Sequence, residues 1–407
     1  MKKNNQKSSI CHFHSSIYRY SNRHRATFSL ILKFILVAFI FFNIFQTVSQ
    51  VPSKYFSFNF WQRFPEMKKL YYNSIYVNKH GLWLADEQTY SFAGGYLIKG
   101  GNPILVNPEV PPFGKYLIGL SALVFDNENI INLFLCIFSL IVLFIFGKQI
   151  FSSTLIALIA PAALSSEPVF LNQLYYSPLL DIIQLFFIFL CFYFFNKSLA
   201  KKKNTFLYFF IAAMFIGLII STKFFGIGAP VVISLFLVLL YNKDVKKMLK
   251  LILTLPLSIL ILLLSYSRVL VLGYPFHKFL GIQHWVFWYN QGHVHTLLSV
   301  WPLLLINKWY ILWSKPPIFD PQWRVTWPIL IILTMLTSLA YLLKKIPPKK
   351  EVEIFIAWII SYLAFLSIGN ASARYFVILI PMMYIIAIFG LYHLVKRILK
   401  GKFKEDN

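Results

Sequence analysis

Asp86 and Glu87 stand side by side in a chain of 407 residues that contains only 14 carboxylates. Five of these, Asp244, Glu351, Glu353, Glu405 and Asp406, lie among lysines in short connectors or the tail, which leaves few acids for chemistry. Two adjacent acids are commonly no more than a solvated helix start or loop pair. This pair lies just beyond an apolar stretch, at the rim of a bilayer, where a carboxylate in low dielectric suits the work of a general base.

Three other charges interrupt apolar sequence. Asp181 closes the run Tyr-Tyr-Ser-Pro-Leu-Leu-Asp. Such an acid either complements the first turn of a helix begun by Ser177-Pro178 or marks a functional rim charge. Lys223 sits in Ser-Thr-Lys-Phe-Phe-Gly, and Arg374 in Ala-Arg-Tyr-Phe-Val-Ile-Leu-Ile-Pro. Cations at a rim suit a phosphate or pyrophosphate ligand, for which Arg offers a bidentate fork and Lys a point charge; anchorage to lipid headgroups is the competing use.

Other residues offer less. His293 and His295, with His284 nearby, form a His-x-His pair whose remaining ligands are missing from the sequence around it, so a polar loop face competes with a metal site. Gly94-Gly95 and Gly100-Gly101 lack a following Lys-Ser and a parent strand, so they predict turns and no nucleotide loop. Cys11, Cys136 and Cys191 are isolated, which supports neither a disulfide framework nor a zinc knuckle.

The scaffold that must position these groups follows from composition. The chain is 58% hydrophobic and 18% aromatic with a mean hydropathy of +0.65, the range of an all-α polytopic membrane protein. Apolar runs predict about ten spans, near 27–48, 130–150, 154–172, 179–197, 205–222, 226–242, 248–270, 325–343, 353–370 and 374–394. A net charge of +25 would point to nucleic acid in a soluble protein. Here Lys and Arg recur between apolar runs instead, in the N-terminal tail, at Lys148, Lys197, 201–203, 243–250, 344–350 and 396–404, blocks that hold 24 of the 39 basic residues. That is the positive-inside pattern, and it predicts cytoplasmic tails at 1–26 and 395–407 with no nucleic-acid partner. No small-residue cleavage site follows the first apolar run, so it reads as an uncleaved anchor.

The opposite face then owns two long segments, 49–129 and 271–324. Both are rich in aromatics such as Trp83, Tyr90, Tyr96, Trp285, Trp288, Trp301 and Trp313, residues that settle at a membrane–water interface. After Pro111-Pro112, the stretch Phe113–Phe125 carries Phe113, Leu117, Leu120 and Val124 at helical spacing and predicts an interfacial helix. With no internal repeat or low-complexity linker, residues 1–407 read as one domain.

The order of these elements resembles a known family. Asp86-Glu87, then Tyr90, Gly95, Tyr96, Gly100, Asn107-Pro108-Glu109 and Pro111-Pro112-Phe113-Gly114-Lys115, resembles the first loop of the lipid-phosphosugar-dependent protein O-mannosyltransferases. Val110 stands where that family has a histidine. Leu179-Leu180-Asp181, Ser221-Thr222-Lys223-Phe224-Phe225-Gly226, and His293, His295, Ser299 and Trp301-Pro302 follow in the family's order. Arg374-Tyr375-Phe376 with Pro381 is similar to the last-span motif of related aminoarabinose transferases acting on lipid A.

The resemblance implies the C class of glycosyltransferase folds, with a catalytic acid in the first extracytoplasmic segment. The implied donor is a sugar on a polyprenyl phosphate, mannose or a similar hexose, and the implied acceptor is a hydroxyl of a protein Ser/Thr or a glycolipid. In these terms Asp86 and Glu87 are the catalytic pair. Asp181, Lys223, Arg374, Lys115, His295 and Trp301 are substrate-binding; no cofactor is required, and a divalent metal ion, if one is present, would be supported by Asp181. A phosphate leaves as a stabilised anion, so one base suffices, unlike the two carboxylates of a glycosidase. A transporter of a lipid-linked sugar is the rival from another class, and transporters place ionisable sites near the bilayer midplane.

Overall fold

Backbone placed in lipid must satisfy its own hydrogen bonds, so apolar sequence of this length has to become helix. The computed structural model bears this out over residues 4–78, 80–200, 204–291, 296–310, 316–369 and 371–405, the residues it describes, with side chains described from 27 onward except 289–291 and 400–405. No strand occurs among them, only isolated bridges pairing Ser74 with Leu82 and Trp309 with Ile318.

The helices in chain order are α1 (Asn4–Gln50), α2 (Pro52–Phe56), α3 (Phe60–Tyr72), α4 (Asp86–Ile98), α5 (Phe113–Phe125) and α6 (Ile130–Ile150). There follow α7 (Thr154–Leu164), α8 (Pro168–Tyr175), α9 (Leu180–Ala200), α10 (Thr205–Thr222), α11 (Gly228–Tyr241) and α12 (Val245–Ser265). The remainder are α13 (Ser267–Val271), α14 (Phe276–Gln291), α15 (Val300–Ile306), α16 (Thr326–Leu342), α17 (Lys350–Leu366) and α18 (Ile380–Glu405). A 3-10 helix, Ala373–Ile378, precedes α18.

Each of the ten apolar runs contains a helix, yet the ten expected crossings are not matched by length. Among the described residues, six helices are long and apolar enough to cross a bilayer, seven if α7 and α8 form one span. That pair bends by 62°. The cause is local: Pro168 opens α8 with no N–H to offer to α7. The segment expected as a first loop is itself mostly helical, since it carries α2 to α5.

The core is α9, most of whose residues are buried, packed against α6, α10 and the 3-10 helix. α9 runs away from Asp181 toward Lys197 and α10 returns to Lys223. The far ends of α9, α11 and α16 meet the start of α17, where Lys350 bonds the Leu199 carbonyl, Asn242 bonds Glu353 and Tyr341 bonds the Lys349 carbonyl, so Lys197, Lys243 and Lys344 lie toward one end of the bundle. Asp181 and Lys223 meet at the other.

α4 and α5 cross near this second end. The contact is backbone to backbone: a Cβ on Gly94 would lie 2.8 Å from the amide nitrogen of Gly119. Gly94 and Gly95 are therefore helical residues, and the expected turn is found only at Gly100, whose φ is +99°. α5 turns Gly114, Lys115, Ile118, Gly119 and Ala122 inward and leaves Leu120, Leu123, Val124 and Phe125 exposed. That division suits a helix lying on a bilayer. Gly114 also lets α5 start against α9 and α10, where a Cβ would come within 2.7 Å of Leu180 and 3.0 Å of the Thr222 carbonyl.

Candidate active site

Four segments distant in sequence meet at the lysine-poor end. α4 begins at Asp86, with Ala85 extended before it and the Gln88 side chain accepting from the Ala85 amide at 3.2 Å. Acids in this first turn are favoured by the helix dipole. Asp181 lies in the first turn of α9, Lys223 follows the last residue of α10, and Arg374 is the second residue of the 3-10 helix.

Arg374 joins the two acids. Its Nη1 is 2.7 Å from Asp86 Oδ2 and its Nε is 3.3 Å from Asp181 Oδ2. Lys223 Nζ closes on the other oxygen, Asp181 Oδ1, at 2.5 Å. Asp181 is thus buried and ion-paired on both oxygens, yet Oδ2 accepts no hydrogen bond among the described residues. Asp86 is the accessible member, its side chain 36% exposed against 5% for Asp181.

Tyrosines wall the cluster. The Lys223 ammonium lies 5.2 Å from the centre of the Tyr375 ring. Tyr90 is buried one turn along α4 from Asp86, and burial together with the Asp86 charge pushes its hydroxyl up. Burial pulls Arg374 down, but Asp181 and Asp86 outweigh it and the guanidinium ends well above its usual value. For Lys223 the sign reverses: burial and the neighbouring Arg374 lower it, against the pull of Asp181. The cluster offers two cations and one accessible carboxylate, the equipment for gripping an anion beside a base.

Glu87 goes elsewhere. Successive residues of a helix point about 100° apart, and Glu87 lines a separate pocket of about 550 Å³ between α2, α3 and α4. Lys54, Arg63, Glu66 and Glu128 line it too. Arg63 and Glu128 pair at 3.0 Å, and Asn129 places a buried side-chain oxygen with no partner among the described residues on its wall. The sequence carried one usable hint of this pocket, since Glu66 and Glu128 are two more of the scarce acids.

Lys115 does not join the cluster. It is fully buried, and its Nζ donates to the carbonyls of Asn107 at 2.7 Å and Val110 at 2.8 Å. It pins the 106–110 loop to α5. Burial drives its ammonium down to about 7. Trp301 is also a brace: Nε1 donates to Ser367 Oγ at 3.1 Å, while Ser299 Oγ donates to the Gly369 carbonyl and accepts from the Ala371 amide. The Ser299–Trp301 stretch thereby fastens the chain leading into Arg374. His293 and His295 lie outside the described residues. Among those described, no group of three or more His, Cys, Asp or Glu is arranged to hold a metal ion. Both oxygens of Asp181 are already paired with cations, which leaves neither for a metal ion.

Residues 109–271 match the family model for dolichyl-phosphate-mannose-protein mannosyltransferase. Among solved structures, ArnT from Cupriavidus metallidurans bound to undecaprenyl phosphate is similar at a TM-score of 0.54 and 16% identity, over 82% of this chain and 59% of that one. The archaeal oligosaccharyltransferase AglB from Archaeoglobus fulgidus, in complex with an inhibitory peptide and a dolichol-phosphate, is similar at a TM-score of 0.51 and 14% identity, over 92% of this chain and 52% of that one. No curated protein matches. The chain thus spans little more than half the length of the structures it resembles. The likeness shows a C-class glycosyltransferase fold in a multi-pass membrane protein.

Proposed function

We propose that this chain is a membrane glycosyltransferase that moves a sugar from a polyprenyl phosphate to a hydroxyl acceptor at the extracytoplasmic face, both ends of the chain being cytoplasmic. The observation that carries the reading is Arg374 bridging Asp86 and Asp181 at the lysine-poor end of the bundle. The donor is a mannose-like hexose on its lipid carrier, and the acceptor is a protein Ser or Thr. The ArnT and AglB structures hold undecaprenyl phosphate and dolichol-phosphate respectively, which supports a donor of that class for this fold.

The chemistry follows from the charges. A donor phosphate approaching Arg374 and Lys223 competes with the carboxylates for these cations. As it takes Nη1 of Arg374, Asp86 is released from its ion pair and its lone pair is free to act as base. Asp86 then removes the proton of the acceptor hydroxyl, the oxygen attacks the anomeric carbon, and the bond from that carbon to the phosphate oxygen breaks with inversion. The electron pair leaves with the polyprenyl phosphate, whose charge Arg374 and Lys223 hold. Asp181 keeps both cations in place through its two oxygens. Glu87, in the pocket beside α4, orients the acceptor.

The test is to incubate membranes containing the protein with radiolabelled polyprenyl-phosphate sugars and follow the label. Label should appear on a hydroxyl of a peptide or protein acceptor and disappear with Asp86→Asn. Label that crosses the membrane still attached to its lipid would identify a transporter, and label on a lipid or polysaccharide alone would reject the Ser/Thr acceptor.

A further inference from the structure

The proposed reaction makes no use of one deeply buried acid. Glu167, 2% exposed, sits at the bend between α7 and α8. Trp327 of α16 donates its Nε1–H to Glu167 Oε2 at 3.1 Å, and the Tyr384 hydroxyl of α18 donates to Oε1. No Lys or Arg forms a salt bridge with it among the described residues. A carboxylate held only by neutral donors is costly to bury, while its hydrogen bonds are strong and directional. It fixes how an indole lies.

That indole touches the active site's support. Trp327 is fully buried and meets Phe376 edge to face, ring centres 5.1 Å apart at 82°. Phe376 belongs to the 3-10 helix Ala373–Ile378, in which three residues complete a turn, so Arg374, Tyr375 and Phe376 point to three different sides. Arg374 faces Asp86 and Asp181, Tyr375 faces Lys223, and Phe376 faces Trp327. Turning the helix by one residue would carry the guanidinium away from both acids. The bonds from Tyr362 to the Tyr375 carbonyl and from Trp358 to the Ile378 carbonyl hold its backbone at two points. The Phe376 side sets the rotation.

We propose that Glu167 is a positioning residue, which through the indole of Trp327 clamps Phe376 and thereby aims Arg374 at Asp86 and Asp181. The consequence for donor binding rests on the reading of Arg374 as the phosphate ligand; the aiming itself does not.

The experiment uses the full-length protein in detergent with Glu167→Ala, Glu167→Gln and Trp327→Phe. Modification by phenylglyoxal is followed at Arg374 by peptide mass spectrometry, with Arg63, paired to Glu128 on α3, as internal reference. Loss of the clamp should raise the Arg374 rate about threefold or more in Glu167→Ala. Glu167→Gln, which keeps one acceptor oxygen, should fall between it and the native rate, and Arg63 should not change. An unchanged Arg374 rate in the folded variant, or an equal rise at Arg63, overturns the proposal. Should Glu167→Ala fail to accumulate, Trp327→Phe, which removes the Nε1–H, carries the same two expectations.

Binding of undecaprenyl phosphate gives the second readout. Trp327→Phe should weaken it about fivefold and should add nothing once Arg374→Ala is present, because both changes disable one group. An equal loss on the Arg374→Ala background means Trp327 acts independently and overturns the coupling. If the native protein fails to bind undecaprenyl phosphate, the functional reading falls, and the Arg374 modification rates still decide the positioning.

Discussion

Asp86→Asn should separate the two roles proposed for one carboxylate. In the proposed reaction Asp86 takes a proton from the acceptor, and removing a general base costs about 10²–10⁴ in rate. A middle value of about 10³ corresponds to roughly 4 kcal/mol of barrier. As a counter-ion, the same carboxylate holds Arg374 Nη1 at 2.7 Å and competes with the donor phosphate. The two side chains are 26% and 36% exposed, so solvent screening keeps the pair near the upper end of what exposed ion pairs give, about 1 kcal/mol. Neutralising Asp86 should therefore tighten undecaprenyl-phosphate binding about fivefold while kcat falls about a thousandfold. The assay pairs kcat at saturating donor with an equilibrium Kd for undecaprenyl phosphate. Turnover within tenfold of the native enzyme would refute the base assignment. A tenfold weaker Kd would show instead that Asp86 binds the donor directly.

Other consequences are equally open to measurement. Arg374→Ala removes charge-assisted contacts worth about 1.5–3 kcal/mol each, so donor affinity should fall about 10-fold to 150-fold; an unchanged Kd removes Arg374 from the phosphate site. Lys115, lowered by burial to about 7 against roughly 10.4 in an unfolded chain, binds fewer protons folded than unfolded between those values. Its burial cost is present in full below pH 7 and is relieved as pH rises toward about 10, so the native protein should gain on the order of 4 kcal/mol relative to Lys115→Met over that window. Parallel thermal-unfolding profiles at pH 7 and 9 would reject this. Gly94→Val forces side-chain atoms into the Gly119 backbone and should destabilise by about 1–3 kcal/mol or more, read as a lower unfolding midpoint with transfer lost; a native midpoint would contradict the tight crossing. Cysteines substituted at 86 and 374 should both react with a membrane-impermeant maleimide from the extracytoplasmic side, and labelling from opposite sides would remove the basis of the site.

The charged residues of the site were readable because lipid makes charge conspicuous. Asp181, Lys223 and Arg374 each break an apolar run, and alternation of helix direction places all three at one end without any knowledge of packing. Lys115 and Trp301 were read from motif wording as ligands, yet both brace the chain: Lys115 through the Asn107 and Val110 carbonyls, Trp301 through the Ser367 hydroxyl ahead of Arg374. A motif marks residues that must stay near a site and is silent on whether they touch substrate. Glu167 went unnoticed because its partners, Trp327 and Tyr384, lie 160 and 217 residues away and look like ordinary interfacial aromatics.

Residue order is enough to show a helical membrane protein, where its apolar helices lie, and which few charges could do chemistry, because hydropathy and the cost of charge in lipid act residue by residue. Length alone does not show the bend before Pro168, where one apolar run forms two short helices 62° apart. It takes the folded arrangement to show that Asp86 and Glu87 face different spaces, that one guanidinium pairs with two acids, and that a tryptophan bonded to a distant glutamate packs on the helix carrying it. Those are relations of angle and distance between segments far apart in the chain, set by close packing at Gly94, Gly114 and Phe376, and no local pattern encodes them.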